Sequence, residues 1–397
     1  MLLSKMPTID DFYQNYWGKQ PFVVRGAIDA DVFNDLIDGD SLAALSMEDD
    51  VKSRLVITNP DNSPNNQAAP WRYEHGPFVE KDFAALGRSH WSLLVQNVEQ
   101  YHIETAALLQ HFNFAPRWLI DDIMISYSAP KGSVGPHMDS YHVFLVQGQG
   151  KRRWKIGAAP VRDDELVNQG GHQILKNGFQ GEAFDVTIGD IIYIPPRFAH
   201  EGVTLEEAMT FSVGFLGPKL SELLVEYGQY LELQDDEQNI RYVGQGLTAD
   251  SAAFVMDNTS ASAQIKNHML GAIGGENFSQ WLALYFSTPS HNDVENIELR
   301  EDGLTEVELI AYLQEGEKLT RAEYVKWAVS ESDDGKLHMA VYGHEIAVQA
   351  AYKPLITYLN SHDGVMMDDI EALGGLALLQ DFIMQLYMMN MLDFEEV

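Results

Sequence analysis

Three pairs in this sequence place a histidine two residues ahead of a carboxylate: His102 with Glu104, His137 with Asp139, and His291 with Asp293. On a strand that spacing sends both side chains to one face, so each pair offers an imidazole beside a carboxylate. By spacing alone each pair is more simply a helix cap or a solvated surface pair. Context separates the middle one. It lies in GPHMDSYHVFLVQGQGKRRWKIG, Gly135 to Gly157, which runs into strongly β-forming sequence. It also has a credible third ligand downstream, His200, in IGDIIYIPPRFAHEGVTL, Ile188–Leu205. There Gly189-Asp190 turns the chain into the apolar run Ile191–Ile194, Pro195-Pro196 breaks the ladder, and His200 opens the next strand. Alone, His200 would read as a hydrogen-bonded histidine at a barrel rim; beside the pair it completes a ligand set.

Two histidines and one carboxylate on one face of an octahedral ion leave three neighbouring positions open, the arrangement of non-haem iron(II) oxygenases. Two positions could chelate a 2-oxo acid and the third could admit dioxygen. Hydrolytic zinc takes the same donors, so the triad alone leaves the reaction open. The chain has no cysteine, which removes disulfides, thiolate nucleophiles and iron–sulfur clusters, and leaves imidazole and carboxylate as the metal ligands. Lys151-Arg152-Arg153-Trp154 follows the pair. Alternation puts Arg152 and Trp154 on one face and Lys151 and Arg153 on the other. These are solvated charges at a strand end unless Arg152 points inward, where its guanidinium would offer a fork to the distal carboxylate of 2-oxoglutarate.

The elements that must position these residues are strands. Candidates are Ile123–Ser128, His142–Gln147, Arg152–Ile156, Phe184–Ile188, Asp190–Ile194, His200–Thr204 and Met209–Phe215. Seven short strands between Gly, Pro and Asp turns predict an antiparallel sandwich or barrel. Residues 1–110 read as mixed, with helical stretches at Thr8–Trp17 and Ser41–Ser46, a loop and strand over Trp17–Ile28, and a polar loop over Asn59–Pro70. After Pro218 apolar residues recur at helical spacing in Leu220–Leu233 and Phe278–Phe286. The last hundred residues read as helix (Glu306–Gln314), strands (Leu319–Val329 and Lys336–Tyr342), then helices near Ala350–Asn360 and Leu376–Met391, which suggests a winged-helix-like module.

The 397 residues carry 26 Lys and Arg against 59 Asp and Glu, a net charge of −33. Such a surface repels phosphate backbones and anionic lipid and attracts basic partners, unless the acidity serves only solubility. From Pro354 to Val397 there is no Lys or Arg, which argues against DNA binding by the C-terminal module. The opening MLLSKMPTIDDFYQNYW lacks the apolar core of a secretory signal, and no later stretch suits a bilayer, so a soluble, cytoplasmic protein that binds neither nucleic acid nor membrane is expected.

Three long stretches resemble one family: WSLLVQNVEQ (Trp91–Gln100), IDDIMISYSAPKGSVGPHMDSYHVFLVQGQGKRRWKIG (Ile120–Gly157) and GDIIYIPPRFAHEGVTLEEAMTFSVGF (Gly189–Phe215). They are similar to the JmjC-type 2-oxoglutarate oxygenases, specifically the bacterial ribosomal oxygenases that hydroxylate an arginine in protein sixteen of the large ribosomal subunit. The resemblance implies an α+β fold: a double-stranded β-helix (jelly-roll, cupin-like JmjC barrel) over 1–217, a helical dimerisation segment over 218–290 and a winged-helix-like domain over 291–397. It implies iron(II), 2-oxoglutarate and dioxygen as cofactor and cosubstrates, a homodimer, and a basic ribosomal protein as substrate. By position His137, Asp139 and His200 match the iron ligands, and Arg152 matches the residue that pairs with the cosubstrate's distal carboxylate. Asp121 and Ser212 fall near positions that contact the target arginine. One departure is Arg197, where related barrels commonly carry Gly; a positive φ there would strain an arginine. A histidine hydroxylase of another ribosomal protein, a demethylase and a catalytically silent acidic scaffold remain as alternatives.

Overall fold

The computed structural model describes residues 1–58, 71–162, 166–169, 172–175, 178–234, 239–244, 261–289, 300, 303–375 and 382–394. The loop expected over Asn59–Pro70 and the pair His291/Asp293 lie outside the described residues. The chain divides into two compact units, Met1–Gly217 and Pro218–Val397.

Fourteen strands of the first unit are described: β1 (Leu2–Leu3), β2 (Phe22–Val24), β3 (Ser53–Thr58), β4 (Trp71–His75), β5 (Trp91–Val95), β6 (Ile120–Ser128), β7 (His142–Gln149), β8 (Arg152–Pro160), β9 (Leu166–Gln169), β10 (His172–Leu175), β11 (Gly181–Val186), β12 (Ile191–Ile194), β13 (Phe198–Thr204) and β14 (Ala208–Phe215). Nine form a sheet in the order β1-β2-β12-β7-β14-β6-β5-β3-β4, three form a second in the order β11-β8-β13, and β9 and β10 make a hairpin. Period-two alternation builds the core between them. Val143 and Leu145 of β7, Ile192 and Ile194 of β12, Trp154 and Ile156 of β8 and Phe198 of β13 pack together as the interior of a cupin-like barrel. The alternate residues Phe144, Val146, Ile191 and Tyr193 point the other way, onto Phe12, Leu108 and Phe112 of the N-terminal helical segments. Because both faces of the large sheet are covered, its central strands read as unbroken apolar runs, and every residue of β14 is buried.

Each of the seven strands expected from sequence is present, with shifted ends; Phe184–Ile188, for example, is realised as Gly181–Val186. The strands β3, β4 and β5, which widen the large sheet, and the β9–β10 hairpin were not anticipated. The Ser41–Ser46 helix starts earlier, at Gly39, because the Asp38 carboxylate accepts the Ser41 N–H at 2.7 Å and caps it.

The second unit holds helices Leu220–Glu232, Ala261–Ile273, Glu276–Ser287, Glu306–Gln314, Lys353–Ser361, Met367–Leu373 and Met384–Met388. The single strand expected over Leu319–Val329 is two. Leu319–Arg321 pairs with Gly364–Val365 and Leu392–Phe394. After a turn closed by Val325 N–H on the Ala322 carbonyl, Trp327–Glu331 joins Leu337–Val341 and His344–Ile346 in a separate three-stranded sheet. The strand expected over Lys336–Tyr342 is Leu337–Val341, the middle one of these three. Of the Leu376–Met391 helix, only the part from Phe382 is described.

Candidate metal centre

The segment carrying His137 and Asp139 is laced to the segment carrying His200 by their backbones. His137 N–H donates to the His200 carbonyl at 3.0 Å and His200 N–H returns to the His137 carbonyl at 2.8 Å; two residues on, Arg197 N–H donates to the Asp139 carbonyl at 2.7 Å. The imidazole rings lie 4.2 Å apart between centroids, and His200 Nε2 sits 3.4 Å from an Asp139 oxygen. One ligand atom from each of His137, Asp139 and His200 lies within 4.8 Å of the others, the spread expected of three donors around one ion.

The ring tautomers suit metal binding. His137 Nδ1 is 2.8 Å from the Gly135 carbonyl and His200 Nδ1 is 3.0 Å from the Phe198 carbonyl. A carbonyl only accepts, so each Nδ1 carries a proton and each Nε2 is left to face the cluster, where a metal would take the place of any proton on it. Burial, and then the neighbouring His200, lower the pKa of His137 to about 4, which keeps its ring neutral. Burial alone would raise the Asp139 carboxyl, but the His200 hydrogen bond and the charges of His137, His200 and Arg54 hold it at about 2. A neutral His137 imidazole and an ionised Asp139 carboxylate are protonation states a divalent cation needs.

The turn before His200 contains the departure noted in the sequence. Arg197 has φ of +69°, the left-handed region in which glycine is at ease, and this costs an arginine about 1–2 kcal/mol. Its guanidinium donates to the Val161 carbonyl at 2.7 Å, while Val161 N–H donates back to the Arg197 carbonyl at 2.7 Å. The strained residue is thereby tied to the strand end beside it.

On the β8–β13 ladder Ile156 faces His200, Trp154 faces Gly202 and Arg152 faces Thr204, all on the interior face. Arg152 is 2% exposed, whereas Arg153 turns outward to Asp185. Arg152 Nη1 donates to Ser126 Oγ at 3.0 Å and Thr210 Oγ1 at 3.2 Å, and Thr210 passes a hydrogen bond to Gln147 at 3.1 Å. Its Nε has no partner, nor have Trp154 Nε1 and Thr204 Oγ1. Burial depresses the guanidinium to about 10, and no carboxylate among the described residues pairs with it. A buried guanidinium without a counter-ion is costly unless an anion arrives.

Ser212 lies on β14 opposite Met124 and Leu145, and shares its face with Thr210. On β6 Met124 and Ser126 face the interior with Asp122, which lies beside Gly214; the register with β14 shifts between Ile120 and Ile123, so two residues of β6, Asp121 and Asp122, span one residue of β14. Asp122 is buried beside Gly214 and Tyr141, and burial, then Glu99 and Asp121, raise its carboxyl well above the usual range. Asp122, Tyr141, Arg54, Glu99 and the Ser126–Thr210–Gln147 chain were not singled out from sequence. The β6 alternation alone could have flagged Asp122. His102 caps the Ile103–Ala106 helix, with Glu104 3.3 Å away, and takes no part in the centre.

The family model for the JmjC domain matches residues 107–223. The chain is 35% identical over 364 residues to the ribosomal protein uL16 3-hydroxylase of Escherichia coli K12, covering 89% of this chain and 88% of that protein. It is 38% identical over 236 residues to a probable ribosomal oxygenase of Haemophilus influenzae, covering 59% and 55% respectively. The crystal structure of E. coli YcfD superposes with a TM-score of 0.77 at 31% identity over the full length of both chains. A structure of the same ribosomal oxygenase in complex with cobalt and 2-oxoglutarate does so at 0.76, over 99% of each. With a barrel of this topology and an interior histidine–aspartate–histidine cluster, the chain belongs to the JmjC-domain family of bacterial ribosomal oxygenases.

Proposed function

We propose that this enzyme is an iron(II)- and 2-oxoglutarate-dependent oxygenase that hydroxylates an arginine side chain in a ribosomal protein of the large subunit. The observation that carries the reading is the pairing, on one interior sheet face, of the His137/Asp139/His200 cluster with an uncompensated Arg152 guanidinium. Four residues of strand separate the row of Arg152 from that of His200, about 13 Å at about 3.3 Å per residue. Both side chains reach inward, and a five-carbon dicarboxylate fits the remaining gap. His137, Asp139 and His200 hold the metal, and Arg152 anchors the distal carboxylate of the cosubstrate. When bound, iron supplies the oxidising chemistry: dioxygen converts 2-oxoglutarate to succinate and carbon dioxide, and one oxygen atom enters a substrate C–H bond.

The protein's own share is placement. The Nδ1–carbonyl bonds fix both rings, the Ser126–Thr210–Gln147 chain fixes Arg152, and the apolar barrel wall of Trp154, Ile156 and Phe198 keeps water from the chelate. Arginine is favoured over histidine as target by the buried carboxyl cluster around Asp122. Asp122 and Ser212 share the interior face, and Glu99 and Asp121 lie close enough to raise Asp122. Buried carboxyls that repel one another are relieved by a cation, and a planar guanidinium satisfies two acceptors at once. Asp122 is the carboxylate best directed to meet it with Ser212, and Asp121 adds charge from the neighbouring position. The net charge of −33 steers a basic ribosomal protein to the surface.

The second unit fits a dimerisation segment over 218–290 followed by a winged-helix-like docking domain over 291–397. Leu220, Leu224 and Val225 are 72%, 48% and 56% exposed in the single chain, an apolar face that a second copy would cover. No helix among the described residues is long and apolar enough to cross a membrane, and a ribosomal substrate places the enzyme in the cytoplasm.

Mass spectrometry of ribosomal proteins made with and without this enzyme tests the reading. A gain of one oxygen on a single arginine supports it; oxidation on histidine, or none, overturns the arginine assignment. Anaerobic titration with iron(II) and 2-oxoglutarate separates an oxygenase from a silent scaffold by the visible charge-transfer band of the chelate.

A further inference from the structure

The second unit carries a cavity that the metal chemistry does not use. Where Trp327–Glu331 pairs with Leu337–Val341, the residues Val329, Leu337, Met339 and Val341 face the apolar core of the unit. The alternate residues Ala328, Ser330, His338 and Ala340 therefore face the Glu276–Ser287 helix, which packs on both strands. At the start of that helix Phe278 and Leu282 stand off from Ser330 and leave a cavity of about 490 Å³, within the roughly 300–1,000 Å³ usual for ligand sites. Ile273, Phe278 and Leu282 line it with carbon, and its rim carries Glu276, Glu331, Asp333 and Asp334. Lys336 pairs with Glu276 and Lys353 with Glu331, so the exposed Asp333 and Asp334 are the surplus charge of the rim. Glu276, in the first turn of the helix, offsets the positive helix end that a cation would otherwise meet.

Independently of charge, His338 marks the same place. It stands directly across the ladder from Ser330, which lines the cavity, and it is 4% exposed. Its Nε2 has no hydrogen-bond partner. A buried polar atom left alone is destabilising, and an N–H donor from a bound ligand satisfies a ring nitrogen that accepts.

We propose that this cavity is a docking site for a lysine or arginine side chain of the protein substrate, in a unit separate from the one that holds the metal centre. The proposal deepens the reading of a basic ribosomal protein as substrate and rests on it. The aliphatic stem lies along Phe278 and Leu282, the cationic head meets Asp333 and Asp334, and an N–H of the same segment reaches His338 Nε2. Phosphates and acidic peptides are repelled by the rim, and a purely apolar chain leaves the aspartates and the imidazole unmatched. A grip on a residue other than the one oxidised acts on capture of the whole ribosomal protein and leaves the chemical step alone.

The test is an NMR titration of the zinc-loaded full chain, isotope-labelled at histidine nitrogen, with acetyl-tetralysine amide. The wild type is expected to show saturable, salt-weakened binding and a shift of the His338 ring signal, which His338→Gln identifies. Asp333→Asn combined with Asp334→Asn should weaken binding about five- to tenfold, the loss of two partly exposed ion pairs. Ser279→Lys gives the cavity an ammonium of the chain's own and should compete the peptide away; melting curves check that both variants fold. With a whole ribosomal protein as substrate and iron in place, the double variant should raise KM by the same factor at unchanged kcat. KM for a short peptide around the oxidised arginine should not move. Peptide binding that survives both variants, a His338 signal that stays still, or an unchanged KM for the whole protein overturns the proposal while leaving the arginine reading intact. Oxidation of no ribosomal protein by the wild type overturns that reading instead, and the titration, which needs no turnover, still decides whether the cavity takes a cation.

Discussion

Replacing Gly202 by alanine isolates the role of the Arg152 anchor without touching a ligand. Gly202 faces Trp154 across the β8–β13 ladder, two residues beyond His200. A Cβ there would lie 2.8 Å from Arg152 Nε, 2.8 Å from Trp154 Cη2 and 2.9 Å from Trp154 Cζ2. Carbon contacts are comfortable at about 3.5–4.0 Å, so the neighbours must give by roughly 0.6–1 Å. Neither has room: Trp154 is a rigid ring 4% exposed, and Arg152 is held by two hydroxyls. Overpacking of this kind costs about 1–3 kcal/mol, which in a domain this size lowers Tm by about 2–10 °C. A displaced guanidinium also loses a charge-assisted hydrogen bond to the cosubstrate, worth about 1.5–3 kcal/mol, so 2-oxoglutarate should bind roughly 10–100-fold more weakly. Metal affinity should change far less, because the Nδ1–carbonyl anchors of His137 and His200 are not disturbed. Anaerobic titration of metal and then 2-oxoglutarate, alongside a melting curve, measures all three quantities. An unchanged melting point with 2-oxoglutarate affinity within about twofold of wild type would refute the packing argument and the placement of Arg152.

Other outcomes follow from the same geometry. His137→Ala and Asp139→Ala should each abolish 2-oxoglutarate turnover, measured as succinate release; full turnover in either would falsify the triad. Arg152→Met, close in volume and free of the unpaired buried charge, should raise the melting point of the cosubstrate-free protein while weakening 2-oxoglutarate by two or more orders of magnitude. Glu99 is raised in the folded state from 4.5 to about 7, so the folded protein binds the extra proton and stability falls as pH climbs from about 4.5 to about 7, by up to about 3 kcal/mol. Glu99→Gln should therefore melt above wild type at pH 8 and lose that advantage at pH 4.5; parallel curves would contradict the burial argument. Arg197→Ala keeps the left-handed φ and drops the bond to Val161, so it should destabilise by about 1 kcal/mol, and Arg197→Gly should recover about 1 kcal/mol relative to it in a denaturant melt.

Much of the centre was legible from spacing because its chemistry is local. The two-residue step from His137 to Asp139, the Gly-Asp turn and double proline ahead of His200, and the alternation that sends Arg152 inward are each properties of a few consecutive residues. The helix over Glu306–Gln314 was equally local, since Thr305 and Glu308 form a capping box at its start. The strand over Leu319–Val329 was misjudged because its break depends on distant partners: Ala322 N–H bonds to the Met391 carbonyl, far along the chain.

Sequence by itself thus determined which residues can bind a metal, which charge lies beside them, and that short antiparallel strands carry them, because ligand type and side-chain direction are set within a strand. Tertiary structure alone decided that His200 returns opposite His137, that Asp122 is buried beside Gly214, and that Glu99 meets β6 from a separate turn. Those relations depend on strand register and on which face of the large sheet closes over the barrel. Both are fixed by the packing of segments far apart in the chain, and no local pattern encodes them.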